Sequence, residues 1–158
     1  MNPVTRIAAL VVGLAFCGGA FCGGAQAAAE IHAAETAQGA AKARVDEGAK
    51  VYATYCQACH QIDGKGMAGA FPPLAGSDYL LADPKRGIHA VLEGVSGTLT
   101  VNGTKFNSVM PHLNYLTDQQ IADALTYTLN SWGNNAGVIL PAQVALVRTG
   151  ATSAAKGG

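Results

Sequence analysis

Cys56-Gln57-Ala58-Cys59-His60 is the stretch on which the reading of this chain turns. Two thiols followed at once by an imidazole form the C-x-x-C-H pattern of covalent haem attachment. The sulfurs add across the two vinyl groups of a porphyrin, and the adjacent histidine ring reaches the iron from the same face. That arrangement requires a helical turn, so the pattern belongs at the end of a helix. Asp46 is the expected N-cap of that helix, and Val51, Tyr52 and Tyr55 supply apolar or aromatic positions at helical spacing.

The rest of the cysteine usage agrees. The chain has 158 residues and four cysteines. Met1 to Ala27 reads as a secretory signal peptide: Arg6 is the positive n-region, Ile7 to Phe16 is an apolar run, and Ala25-Gln26-Ala27 fits the A-x-A cleavage pattern. The apolar run falls short of the roughly 20 residues of a membrane span, and glycine pairs interrupt its extension. Cys17 and Cys22 each follow a phenylalanine, where a lipidated cysteine would follow a small residue. Cleavage leaves Cys56 and Cys59, which either bond to each other or hold something else. A redox dithiol would sit in a strand-helix-strand setting that is missing around this pair. A structural zinc site would want further ligands at close spacing, and only the scattered His32, His89 and His112 remain.

A haem iron held by His60 needs a ligand on its other face. Met110, in Asn107-Ser108-Val109-Met110-Pro111, lies far enough along the chain to wrap around the macrocycle, and Pro111 stiffens the backbone just beyond it. His112 is the rival ligand; Met67 follows the attachment pattern too closely to reach the distal face. A His/Met pair fills both axial positions and leaves none open for a substrate.

These features resemble the class I (monohaem) c-type cytochrome family over roughly Val45 to Trp132. Within it, the resemblance extends to small cytochrome c domains that accompany or are fused to copper-containing nitrite reductases. It is carried by Phe71-Pro72-Pro73-Leu74-Ala75-Gly76-Ser77-Asp78-Tyr79-Leu80, Thr100-Val101-Asn102-Gly103, the Met110 segment and Leu129-Asn130-Ser131-Trp132-Gly133. The resemblance implies an all-α fold: three to five helices around one covalently bound haem c, with a short β-hairpin before the axial methionine loop. It also implies that a proline carbonyl after the attachment pattern accepts a hydrogen bond from the axial imidazole. By position this is Pro72, with Pro73 as the neighbouring alternative.

The remaining segments fit such a shell. Asp83-Pro84 opens a helix that Gly94 closes. Leu99 to Phe106 reads as a hairpin turning at Asn102-Gly103. Thr117 and Gln120 form a capping box for a last helix with Ile121, Ala124, Leu125, Thr128, Leu129 and Trp132 along one stripe. In the family this helix crosses the first one closely, and Gly48 permits that contact, opposite Tyr127 or a small neighbour. Arg86 could meet a haem propionate but reads first as a solvated helix arginine. His89 reads as a surface residue and Trp132 as packing. The expected organisation is signal peptide 1–27, alanine-rich spacer 28–44, cytochrome domain 45–135, and a C-terminal extension and flexible tail 136–158 with a short helix at Pro141 to Val147.

The expected function is one-electron transfer in the bacterial periplasm, with no catalysis and one haem c, by a monomer without a membrane span once the signal is cleaved. Its partners would be redox proteins, a copper-containing nitrite reductase in trans among them. The zero formal net charge and the lack of a basic stripe exclude a nucleic-acid binder. A haem enzyme or ligand sensor with a displaceable sixth ligand is the competing reading, and an electron-relay subunit of a membrane dehydrogenase or oxidase is a third.

Overall fold

The computed structural model describes the backbone of residues 23–150 and side-chain surroundings from residue 39 onward. The expectations for Met1 to Cys22, Cys17 and Cys22 among them, and for the tail past residue 150 lie outside the described residues. The chain divides into two units at Glu35/Thr36. Of the first, helical backbone from Gly23 is described; the site lies in the second.

Helix α1 (Gly23–Tyr55) leads into the attachment pattern. Asp46 is not its N-cap. The run before Asp46 is alanine-rich and free of proline, so helix is favoured far upstream of that position. Asp46 lies inside the helix instead and accepts a hydrogen bond from Lys42 Nζ at 2.7 Å. A one-turn helix α2 (Gln57–His60) follows, with Cys56 O accepting the N–H groups of Cys59 at 3.2 Å and His60 at 3.0 Å.

Helix α3 (Asp78–Ala82), which the sequence reading did not single out, is capped by Ser77 Oγ accepting from Leu80 N–H at 3.3 Å. Helix α4 (Lys85–Glu93) starts as expected: the Asp83 carboxylate accepts from Lys85 N–H at 3.1 Å, Pro84 opens the turn, and Gly94 at φ 77° ends it. Strands β1 (Leu99–Val101) and β2 (Thr104–Phe106) pair antiparallel with Leu99 opposite Phe106. Asn102 (φ 50°) and Gly103 (φ 74°) both take the left-handed conformation that a two-residue type I′ turn demands. Asp78 and Asn102 exchange side-chain-to-backbone hydrogen bonds at 2.9 and 2.7 Å and tie this turn to α3.

Helix α5 (Asp118–Leu129) carries the expected capping box: Thr117 Oγ1 accepts from Gln120 N–H at 3.2 Å, and Gln120 Oε1 accepts from Thr117 N–H at 2.9 Å. Helix α6 (Pro141–Arg148) follows. The described residues thus hold six helices: α1 to α5, within the expected three to five, and α6 in the C-terminal extension, where a short helix was expected.

The apolar stripe of α5 is the centre of the core. Ile121 and Leu129 are fully buried, together with Ile88 of α4 and Val144 of α6. Where α1 crosses α5, a Cβ on Gly48 would lie 2.8 Å from Tyr127 Cβ and inside the Asp123 carbonyl, so only glycine allows this approach. Beside the crossing, Tyr52, Tyr127 and Trp132 stack with centroids 5.1–5.3 Å apart. Arg44 Nη1 pairs with the buried Asp123 carboxylate at 3.3 Å, and Gln119 Nε2 donates to both its oxygens at 2.7 Å. No described helix is long and apolar enough to cross a membrane.

Candidate functional site

One cleft, open in part to solvent, gathers the residues that the sequence singles out. Cys56, Cys59 and His60 form one part of its wall. Phe71 to Leu74, the inner faces of α3 and α4, the hairpin residues Leu99, Val101 and Phe106, Met110, and Leu125 and Thr128 of α5 complete it. The lining is predominantly aliphatic and aromatic, which suits a flat hydrophobic macrocycle. Neither Met67 nor His112 belongs to it: both are exposed at the surface.

His60 is buried, and its Nδ1 lies 3.1 Å from Pro72 O. With Nδ1–H donating to that carbonyl, the Nε2 lone pair is left for another partner. Burial lowers the basicity of the ring, with the bond to Pro72 opposing in part. The imidazole is therefore held neutral, as a metal ligand must be. Pro72 is presented by a loop that closes on itself: Gly64 O accepts from Leu74 N–H at 2.7 Å and Ala75 N–H at 2.9 Å, and Gly66 N–H donates to His60 O at 3.0 Å. Gly66 sits at φ 66°, and a Cβ there would lie 2.6 Å from Pro72 O. The glycine is what lets the loop turn under the histidine. Sequence reading passed over Gly64 and Gly66, although Asp63-Gly64-Lys65-Gly66 carries a clear turn signature.

Cys56 and Cys59 are both free thiols, and burial, reinforced by the neighbouring Cys59, pushes the Cys56 thiol up to about 11. Among the described residues no group of three His, Cys, Asp or Glu side chains stands close enough to hold a metal ion by itself. A bare-metal site built on this cysteine pair thus finds no further ligands there. Two free thiols, a neutral imidazole with one nitrogen to spare and a thioether in one apolar cleft fit haem c.

Met110 is half-buried, and its backbone pairs with Val95 through N–H···O bonds of 2.9 and 3.0 Å. Ser108 Oγ donates to Ala70 O, linking the loop before Met110 to the turn at Met67–Phe71. Arg86 lies on the exposed side of α4 yet reaches the cleft as the one charged wall residue among the described residues. Its Nη1 donates to Tyr79 O at 3.0 Å, and its guanidinium lies 4.8 Å from the Tyr79 ring centroid. His89 is exposed and pairs with Glu93 at 2.8 Å. Trp132 is packing: its ring covers Gly64 and its Nε1 donates to Ile62 O at 3.0 Å.

The profile of the family described as cytochrome c matches residues 45–132. The chain belongs to the cytochrome c family. The cofactor of cytochromes c is haem c, covalently attached and iron-containing, and Cys56 and Cys59 stand at the spacing that attachment uses. A cytochrome c-552 from Thermus thermophilus is 41% identical over 92 residues, which cover 56% of this chain and 70% of that protein. The cytochrome c subunit of a quinone alcohol dehydrogenase from Gluconobacter oxydans is 35% identical over 105 residues, 65% of this chain and 22% of the subunit. The gluconate 2-dehydrogenase cytochrome c subunit of Pantoea cypripedii is 38% identical over 100 residues, 61% and 22% of the respective chains. The chain thus spans less than a quarter of those dehydrogenase subunits. These relatives are named as a cytochrome c-552 and as dehydrogenase subunits, and none of the three names mentions a nitrite reductase, so they do not support the narrower resemblance.

Proposed function

We propose that this cytochrome is an exported single-electron carrier of the bacterial periplasm, with His60 and Met110 as axial ligands of one haem attached through Cys56 and Cys59. The observation that carries the reading is the shared cleft: it takes in both thiols, the buried imidazole and the Met110 thioether, and leaves Met67 and His112 outside. Bound haem supplies the iron that cycles between ferric and ferrous. Pro72 O orients the His60 ring toward the cleft and raises its basicity as a ligand. The apolar wall of Phe71, Leu80, Val91, Phe106 and Leu125 keeps water from the centre, which raises the potential of a His/Met-ligated site.

With both axial positions filled, no site for a substrate remains, so the chain itself does no bond chemistry. The dehydrogenase subunits among its relatives support a redox enzyme as partner, with this cytochrome taking electrons from such an enzyme or passing them on. The export signal at Met1 to Ala27 supports the periplasmic location.

Absorption spectra of the oxidised and reduced holoprotein test the reading. The wild type is expected to show low-spin haem c and the weak far-red band of methionine-ligated ferric haem, and Met110→Ala is expected to lose that band. Rapid stoichiometric carbon monoxide binding by the reduced wild type at neutral pH would instead show an open iron and favour an enzyme or sensor.

A further inference from the structure

The family match ends at residue 132, yet the chain continues into α6, which packs back onto the domain. Ile139, Val144 and Val147 are buried in the common core. The approach to α6 is pinned by Asn130 Nδ2 donating to Gly137 O at 2.7 Å and by Ile139 N–H donating to Thr126 Oγ1 at 3.1 Å. At its last residue α6 presents Arg148, whose three nitrogens take three partners. Nε donates to Asp118 Oδ1 at 2.8 Å, Nη1 to Asn114 O at 2.6 Å and Nη2 to Leu116 O at 2.7 Å.

Asn114 and Leu116 belong to the segment that joins Met110 to Thr117, the cap of α5. That segment has little hydrogen bonding of its own. Pro111 has no N–H to give. Leu113 N–H donates to Val91 O at 2.7 Å, and Leu116 N–H donates to Leu113 O at 3.0 Å. Among the described residues, Arg148 is the one side chain that bonds to the backbone of residues 111–116.

We infer that Arg148 is a positioning residue for the axial methionine: it latches the Met110 loop to α6 and so sets how readily Met110 leaves the iron. The inference rests on the His60/Met110 reading above. A guanidinium suits the task because its rigid fork serves two carbonyls and a carboxylate at once, which an ammonium cannot match in spacing. Without it, the carbonyls of Asn114 and Leu116 turn to water, and the loop keeps its hydrogen bonds to Val91, Val95 and Ala70 and the packing of Leu116. Local opening then becomes more frequent, and a competing ligand binds in proportion to the population of the open form.

Imidazole titration of the ferric holoprotein, followed by loss of the far-red methionine band, tests this in wild type, Arg148→Ala, Arg148→Lys and Arg44→Ala. Arg44→Ala breaks an ion pair with buried Asp123 that does not involve the loop, so it lowers stability without touching the latch. Arg148→Ala is expected to bind imidazole about tenfold tighter than wild type, the scale of losing charge-assisted hydrogen bonds. Arg148→Lys tightens it by a smaller factor, and carries the comparison if the alanine variant does not accumulate. Arg44→Ala titrates as wild type. Equal tightening in Arg44→Ala and Arg148→Ala would reduce the effect to general loosening and overturn the inference, as would wild-type affinity in both Arg148 variants. A wild type without the methionine band would overturn the ligand reading itself, and the inference with it; a normal band with unmoved Arg148 variants sinks the latch alone.

Discussion

Adding one methyl group at Gly48 is expected to destabilise this cytochrome, although the same change at Gly39 on the same helix is not. An ideal Cβ on Gly48 would stand 2.6 Å from Asp123 C and 2.8 Å from Tyr127 Cβ, with Asp123 O closer still. An ordinary Cβ contact is 3.4–4 Å. Two of the three atoms met are backbone, which cannot swing aside, so α1 and α5 must part by roughly 1 Å in a close-packed interior. Overpacking of this kind costs about 1–3 kcal/mol. Parting the helices also disturbs the Tyr52, Tyr127 and Trp132 stack, where each ring pair is worth about 0.5–1.5 kcal/mol. Against this stands a gain of about 1 kcal/mol for alanine over glycine inside a helix. The net expectation for Gly48→Ala is a loss of about 2 kcal/mol, or a Tm lower by roughly 4–16 °C for a domain between the small and medium size classes. Gly39, on α1 with nothing within 4 Å of its Cβ position, is the internal control. Gly39→Ala should raise Tm or leave it unchanged. Gly87→Ala should fall between, because its Cβ meets the flexible ends of Leu125 and Leu80 at 2.8 and 3.1 Å. Thermal unfolding of the three holoproteins by far-ultraviolet circular dichroism reads the series. A Gly48→Ala variant that melts at or above wild type would refute the close crossing.

Two further outcomes follow from hydrogen bonds of α1 and α5. Tyr52 Oη donates to Gln61 O at 2.6 Å, and burial holds its ionisation well above the ordinary tyrosine range. The folded state therefore keeps this proton above about pH 10, where the unfolded chain releases it, and stability declines as pH rises past that point. Tyr52→Phe should lose about 1 kcal/mol at neutral pH and show a flatter alkaline decline, read from denaturant midpoints across pH; parallel curves would refute the assignment. Thr117→Ala removes one half of the capping box on α5 and should lower stability by about 1 kcal/mol, measured by thermal melting.

Much of this molecule is legible without coordinates because it is locally encoded. C-x-x-C-H names its cofactor through covalent chemistry that a few adjacent residues supply. Asp83-Pro84 with Gly94, Asn102-Gly103, and Thr117 with Gln120 each mark an element boundary through bonds spanning only a few positions. The Asp46 cap failed for a related reason: capping is a local signal, but the alanine-rich run before it favours helix more strongly than a mid-helix aspartate can end it. Helix α3 was missed because five residues are too few to show a period, and its stability comes from Ser77 and from Asp78 reaching Asn102 across the fold.

By itself, then, the sequence determined the family, the haem c, the attachment pair with its neighbouring histidine, the hairpin and the helical shell. Tertiary structure alone brought Cys56, Cys59, His60 and Met110 into one cleft, placed Met67 and His112 outside it, and set Pro72 O rather than a neighbouring carbonyl against the His60 ring. It alone turned Arg86 toward the cleft, and it alone brought Arg148 back onto the Met110 loop. The physical reason is distance along the chain. Caps, turns and covalent attachment act between residues a few positions apart, and their pattern can be read in order. The cleft and the latch depend on contacts between residues 12 to 50 and more positions apart, and those exist only once α1, α5 and α6 have packed around a common core.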